Sequence, residues 1–89
     1  GTMRVESYSA SEDGRKLTLH FWGGMCSDYA ASAEESATAV TVKVTGTEKN
    51  PGRFCVMMAK RFDLTVTLQK PLDDRQVVDL GSGARLKES

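Results

Sequence analysis

Apolar residues in this chain recur at every second position over three long runs, and that period limits what the chain can fold into. Leu17, Leu19 and Phe21 alternate with Lys16, Thr18, His20 and Trp22. Val40, Val42 and Val44 alternate with Thr41, Lys43 and Thr45. Phe62, Leu64, Val66 and Leu68 alternate with Asp63, Thr65, Thr67 and Gln69. Successive side chains of a strand point to opposite faces, so each run predicts a strand with one dry face and one wet face. The abundance of Val and Thr suits a pleated, half-buried surface.

The residues between the runs are those that reverse a chain. Asp13-Gly14 predicts a hairpin between strands at 4–9 and 15–22. Asn50-Pro51-Gly52 predicts a turn between 40–47 and 54–59. Gly23-Gly24 is expected to let the chain leave the sheet before Cys26. Pro71 ends the strand before it, because it cannot donate to a ladder. Asp73-Asp74 then form a turn before a strand at 76–80. Gly81-Ser82-Gly83 closes that strand, and 84–86 forms a short edge piece. Positions 54–69 hold no Gly, Pro or Asn. The expectation there is one long strand, bent or bulged near Lys60-Arg61.

The segment at 28–39, DYAASAEESATA, points two ways. Its Ala and Glu content favours a helix, and Ser32 with Glu35 imitates a capping box. It lacks the large apolar stripe a docked helix needs. As a strand it places Tyr29, Ala31 and Ala33 on one face. The local sequence leaves helix and strand both open.

Six to seven short strands in 89 residues predict an all-β fold, a small immunoglobulin-like (Greek-key) β-sandwich. A true immunoglobulin domain places a Trp between its bridged cysteines, whereas Trp22 precedes both Cys26 and Cys55. The length suits one small domain, taken as 4–86. Residues 1–3 read as an expression scar and 87–89 as a tail.

The charge balance narrows the partners. Twelve basic and twelve acidic residues give a net charge of zero and form no basic run, which disfavours nucleic acid. No polybasic or amphipathic helix favours a membrane surface. The longest apolar run, 54–59, is far too short for a transmembrane segment. No signal segment is visible. The two cysteines permit one disulfide in an oxidising compartment, or two separate buried thiols in a reducing one.

Several residue types invite a chemical role. If Leu17, Leu19 and Phe21 face the core, His20 and Trp22 face outward together, about 7 Å apart along the strand. They form the candidate binding surface, unless a loop or a neighbouring domain covers that face. No spacing supplies His20 with a nucleophile to activate, so no catalytic residue is expected. A reactive thiol needs a cationic or helix-terminal setting, and His20 is the only candidate near Cys26. His20, Met25, Met57 and Met58 offer soft donors, but their spacing follows no known copper site. Met57 and Met58 point to opposite faces of the expected strand, so at least one should fill the core. Glu34, Glu35, Asp73, Asp74 and Asp79 lack EF-hand spacing. No metal and no cofactor is expected.

The runs LTLHFWGGMC (17–26), AVTVKV (39–44), Cys55 and VTLQKPLDDRQVVD (66–79), with Gly83, together cover most of the chain. They resemble a group of small two-cysteine domains in actinobacterial secreted proteins and lipoproteins, most of which lack an assigned function. The most specific part is the structural motif Pro71-Leu72, Arg75, Val77 and Asp79. Asp73 departs from the pattern, which has Gly there. The resemblance implies that Cys26 pairs with Cys55, that the Glu34/Glu35 segment is extended, and that the protein is exported or lipid-anchored. A Cys26–Cys55 bridge would staple the domain. Arg75 and Asp79 share a parity and are expected to form a structural lock, with each other or with a neighbour.

The expected function is therefore that of a non-enzymatic extracytoplasmic β-sandwich module with a structural or protein-interaction role. Its partner would be another protein or a cell-envelope component. The alternative is a small-ligand carrier or sensor that uses the His20/Trp22 face.

Overall fold

The computed structural model describes residues 1–89 and is all-β, with seven strands. They are β1 (Thr2–Met3), β2 (Ser7–Ala10), β3 (Lys16–Gly24), β4 (Ser27–Glu35), β5 (Ala39–Glu48), β6 (Ala59–Thr67) and β7 (Gln76–Asp79). They form two sheets stacked as a sandwich. In the first, β4 runs along one edge of β5, while β1 and β7 lie end to end along the other. In the second, β3 sits between β2 and β6.

Neighbouring strands are antiparallel, with one exception. Between β5 and β7 the chain crosses to the second sheet to form β6, then returns. Two reversals leave β7 parallel to β5. The paired backbone also extends beyond 4–86 at both ends. Thr2 and Met3 pair with Thr45 and Val44, and Glu88 bridges to Tyr8.

The predicted parities set the core. Leu17, Leu19 and Phe21 of β3 and Val40, Val42 and Val44 of β5 are all fully buried. Val66, Leu68, Leu72, Val77, Leu86 and Val5 complete one cluster. Segment 28–35 is strand. Tyr29, Ala31 and Ala33 face this cluster, and Asp28, Ala30, Ser32 and Glu34 face water. The helical propensity of Ala and Glu yields to nine consecutive pairings with β5.

Two expectations are corrected. The strand after the Asn50-Pro51-Gly52 turn begins at Ala59, and its pairing with β3 runs without a bulge past Lys60 and Arg61. The turn itself forms, with Arg53 N–H donating to the Asn50 carbonyl and Gly52 at φ +80°. Residues 54–58 lie outside any strand because β3 stops at Gly24, the partner of Ala59, and offers no further ladder. Met57 and Met58 are consequently both exposed, and neither fills the core.

Gly23 and Gly24 do not take the chain off the sheet. Both stay in β3, paired with Lys60 and Ala59. Their missing side chains make room for Tyr29. A Cβ on Gly23 would sit 2.5 Å from the Tyr29 hydroxyl, and one on Gly46 would sit 2.8 Å from the opposite side of the ring. Tyr29 is thus held between the sheets, edge-on to Phe21 and tilted against Phe62, with its hydroxyl donating to the Gly24 carbonyl at 2.8 Å.

The two long sides of the sandwich are closed differently. On one side, residues 84–89 hydrogen-bond first to β7 and then to β2. Leu86 N–H donates to Val77 and Ser89 N–H to Tyr8, which joins the sheets through backbone. On the other side β4 and β6 run parallel, each with a free edge. Only their ends are tied. The Cys26–Cys55 disulfide, with its Cα atoms 6.3 Å apart, lies just before both strands. Glu35, at the far end of β4, accepts backbone N–H bonds from Gln69 and Lys70, just past β6.

Candidate functional site

His20 and Trp22 project from the same outer face of the second sheet, as their parity requires, and the structure gives them different settings. Trp22 is 57% exposed. The His20 side chain is 12% exposed and both ring nitrogens are engaged. Asp63, its direct partner on β6, lies 2.7 Å from Nδ1. Ser9, on β2, places its hydroxyl 2.8 Å from Nε2. Asp63 also approaches Arg61 at 4.0 Å. Sequence spacing did not reveal Ser9 or Asp63. The signal for Ser9 was nonetheless present, because centring the hairpin on Asp13-Gly14 pairs Ser9 with Thr18, diagonal to His20. Asp63 depends on the β3–β6 register, which no turn residue fixes.

The second feature is the end of the sandwich where β3 turns into β4. Met25, Phe54, Val56, Met57 and Met58 are all exposed there, with Phe54 at 95% and Met57 at 92%. A groove of about 480 Å³ is lined by Met3, Met25, Tyr29, Val56, Met57 and Met58. The chain has four methionines, and all four line it. The disulfide fixes the 54–58 segment beside Met25, and the β1–β5 pairing brings in Met3.

Pro71, Leu72, Arg75 and Asp79 divide into two structural assemblies. Arg75 forms an ion pair with Glu35 at 3.1 Å and donates to the carbonyls of Ser36, Lys70, Pro71 and Leu72. The acid paired with Arg75 is thus Glu35 and not Asp79. The Glu35 carboxyl is held below the usual glutamate range. The Gln69 N–H is the main cause; burial opposes it, and Lys70 N–H and Arg75 reinforce it. Leu72 is buried in the core.

Asp79 lies fully buried and closes the turn after β7. Its Oδ2 accepts from Ser82 N–H at 3.2 Å and from the Ser82 hydroxyl at 2.7 Å. Its Oδ1 has no hydrogen-bond partner. Asp73 adopts φ +51°, a left-handed conformation that suits Gly best and tolerates Asp.

No group of three or more His, Cys, Asp or Glu residues is placed to hold a metal ion. No helix is long and apolar enough to cross a membrane. Comparison with protein families, with curated proteins and with solved structures finds no match.

Proposed function

We propose that this chain is an extracytoplasmic β-sandwich module whose role is protein interaction, through the methionine-rich end of the sandwich. The observation that carries the reading is the exposure of Phe54, Val56, Met57 and Met58 on a segment pinned by a disulfide. A contiguous apolar surface of this kind marks an interaction site. Unbranched methionines adapt to irregular partners. Pinning the segment lowers the ordering cost of binding. The disulfide also supports an oxidising compartment outside the cytoplasm. Kinship with immunoglobulin-like sandwiches is part of the proposal. Two stacked sheets and the β2–β3 hairpin support it, and the parallel β5–β7 pair departs from it.

A photo-crosslinking residue at position 57 tests the reading in cell-envelope preparations. Position 32, on the outer face of β4, serves as the control. A discrete adduct from 57 and none from 32 is expected. Equal capture from both positions, or none from either, overturns it.

The carrier or sensor reading rests on Trp22, whose exposed ring is the only indole in the chain. The engagement of both His20 nitrogens leaves that residue no free donor or acceptor for a ligand. A saturable change in Trp22 fluorescence on titration with small ligands would favour it over the interaction module.

A further inference from the structure

Three strands bring Ser9, His20 and Asp63 into one hydrogen-bonded row across the outer face of the second sheet. The polarity of the row is determined by its acid. A carboxylate can only accept, so the nitrogen facing Asp63, Nδ1, carries the proton. In the neutral ring Nε2 is then the acceptor, and Ser9 is the donor that faces it. This is the tautomer a general base needs beside a nucleophile, and the third group holds it in place. The distances of 2.8 and 2.7 Å lie within the range for proton transfer along the row. The His20 side chain is 12% exposed and held from both sides, so its ring is fixed, while Asp63 is 58% exposed.

We propose that Ser9 is a nucleophile activated by His20, with Asp63 as the positioning residue, and that it takes the acyl group of small activated esters. Ser9 Oγ attacks the carbonyl carbon as its proton passes to His20 Nε2. The bond to the leaving oxygen then breaks, and that oxygen takes the proton from Nε2. Water hydrolyses the acyl-Ser9 by the same route, giving up a proton to Nε2 that is returned to Ser9 Oγ. The row lies on an open sheet face that supplies little binding energy, which limits the substrates to esters already activated by a good leaving group. The Ser89 hydroxyl, 3.3 Å from Ser9 Oγ, donates to the Tyr8 carbonyl and is therefore not a preorganised donor for the developing oxyanion. Slow turnover with accumulation of the acyl form is the expected behaviour.

The experiment uses a fluorophosphonate probe, with p-nitrophenyl acetate as the ester. Attack on the fluorophosphonate forms the Oγ–P bond, expels fluoride and passes the serine proton to Nε2. Mass spectrometry is expected to find one adduct, on Ser9. Ser9→Ala abolishes it, and Ser7→Ala leaves it unchanged. His20→Gln and Asp63→Asn slow labelling by at least about tenfold, and Asp63→Glu restores part of the rate. Thermal melts accompany each variant, and exposed Asp63 is the position whose change is least able to disturb the fold. The proposal is overturned by absence of an adduct, by an adduct elsewhere, or by equal labelling rates in wild type and in a folded Asp63→Asn variant. None of these outcomes bears on the methionine-rich end, which lies about 13 Å from His20 along β3.

Discussion

Arg75 reaches across from the segment before β7 to Glu35 at the end of β4, with Nη2 and Oε1 3.1 Å apart and the two side chains 9% and 17% exposed. The same guanidinium donates to four backbone carbonyls. Only a planar fork with five N–H groups can serve so many acceptors at once. Arg75→Ala strips all of these acceptors of their donor. It is expected to lower the melting temperature by more than about 5 °C. Arg75→Lys, which keeps the charge but not the fork, should recover only a small part. Thermal unfolding followed by circular dichroism measures both.

Glu35 gives the domain an acid-sensitive link. Its folded pKa is depressed, chiefly by the Gln69 N–H. A depressed carboxyl pKa contributes stability that is fully present above the unfolded value, about 4.3, and is lost as pH falls through the folded value. The melting temperature should therefore drop on acidification below that range. In Glu35→Gln the drop should be shallower, from a lower starting point. It should not vanish, because Asp13 is also depressed, first by the Ser11 hydroxyl and then by the Arg15 N–H. Melting curves between pH 2 and pH 6 test this.

The Cys26–Cys55 bridge closes a loop with a sequence separation of 29. The chain-entropy model assigns about 3–4 kcal/mol to a loop of that length. Denaturant titration of Cys26→Ser/Cys55→Ser should show a loss of that order. Residues 54–58 have no ladder partner, so their amides should exchange with solvent fastest once the bridge is gone. The amides of β3 should stay protected.

Gly23 is expected to be intolerant of any side chain. Tyr29 cannot retreat from a Cβ at 23, because the backbone at Gly46 lies against the other side of its ring. Gly23→Ala should cost about 1–3 kcal/mol through overpacking. The double variant Gly23→Ala/Tyr29→Phe, which removes the atom nearest that Cβ, should recover part of the loss. Gly24→Ala serves as the control, since a Cβ there meets nothing closer than 4.0 Å.

The alternating runs at 16–22, 40–45 and 62–69 could be read in the sequence because burial of one face leaves a period of two. β4 could not be settled that way. Its inward residues Tyr29, Ala31 and Ala33 face a core already filled by Phe21 and the valines, so small side chains suffice and leave little hydrophobic signal. The resemblance to two-cysteine domains implied the extended form, and the pairing with β5 supplies it. The start of β6 at Ala59 was invisible because it depends on where a different strand, β3, runs out. Arg75's partner was missed for a related reason. Arg75 was expected to pair with Asp79, four residues on, or with a neighbour, whereas its acid lies 40 residues away in sequence. Parity identifies faces, but contacts across the sandwich depend on how the sheets stack.

The difference between the two long sides of the sandwich has a mechanical consequence. The strap at 84–89 binds one side along its length, much as a spine binds pages, while β4 and β6 form a fore-edge held by a clasp at each end. Fluctuations that separate the sheets should therefore hinge at the strap and gape between β4 and β6. Water would then reach Ala31, Ala33 and Leu64 before it reaches Val77. With either clasp undone the remaining one becomes a pivot, and with both undone nothing resists the gape but side-chain packing. Breaking the disulfide and the Glu35 link together should then cost more than the sum of the two separate losses.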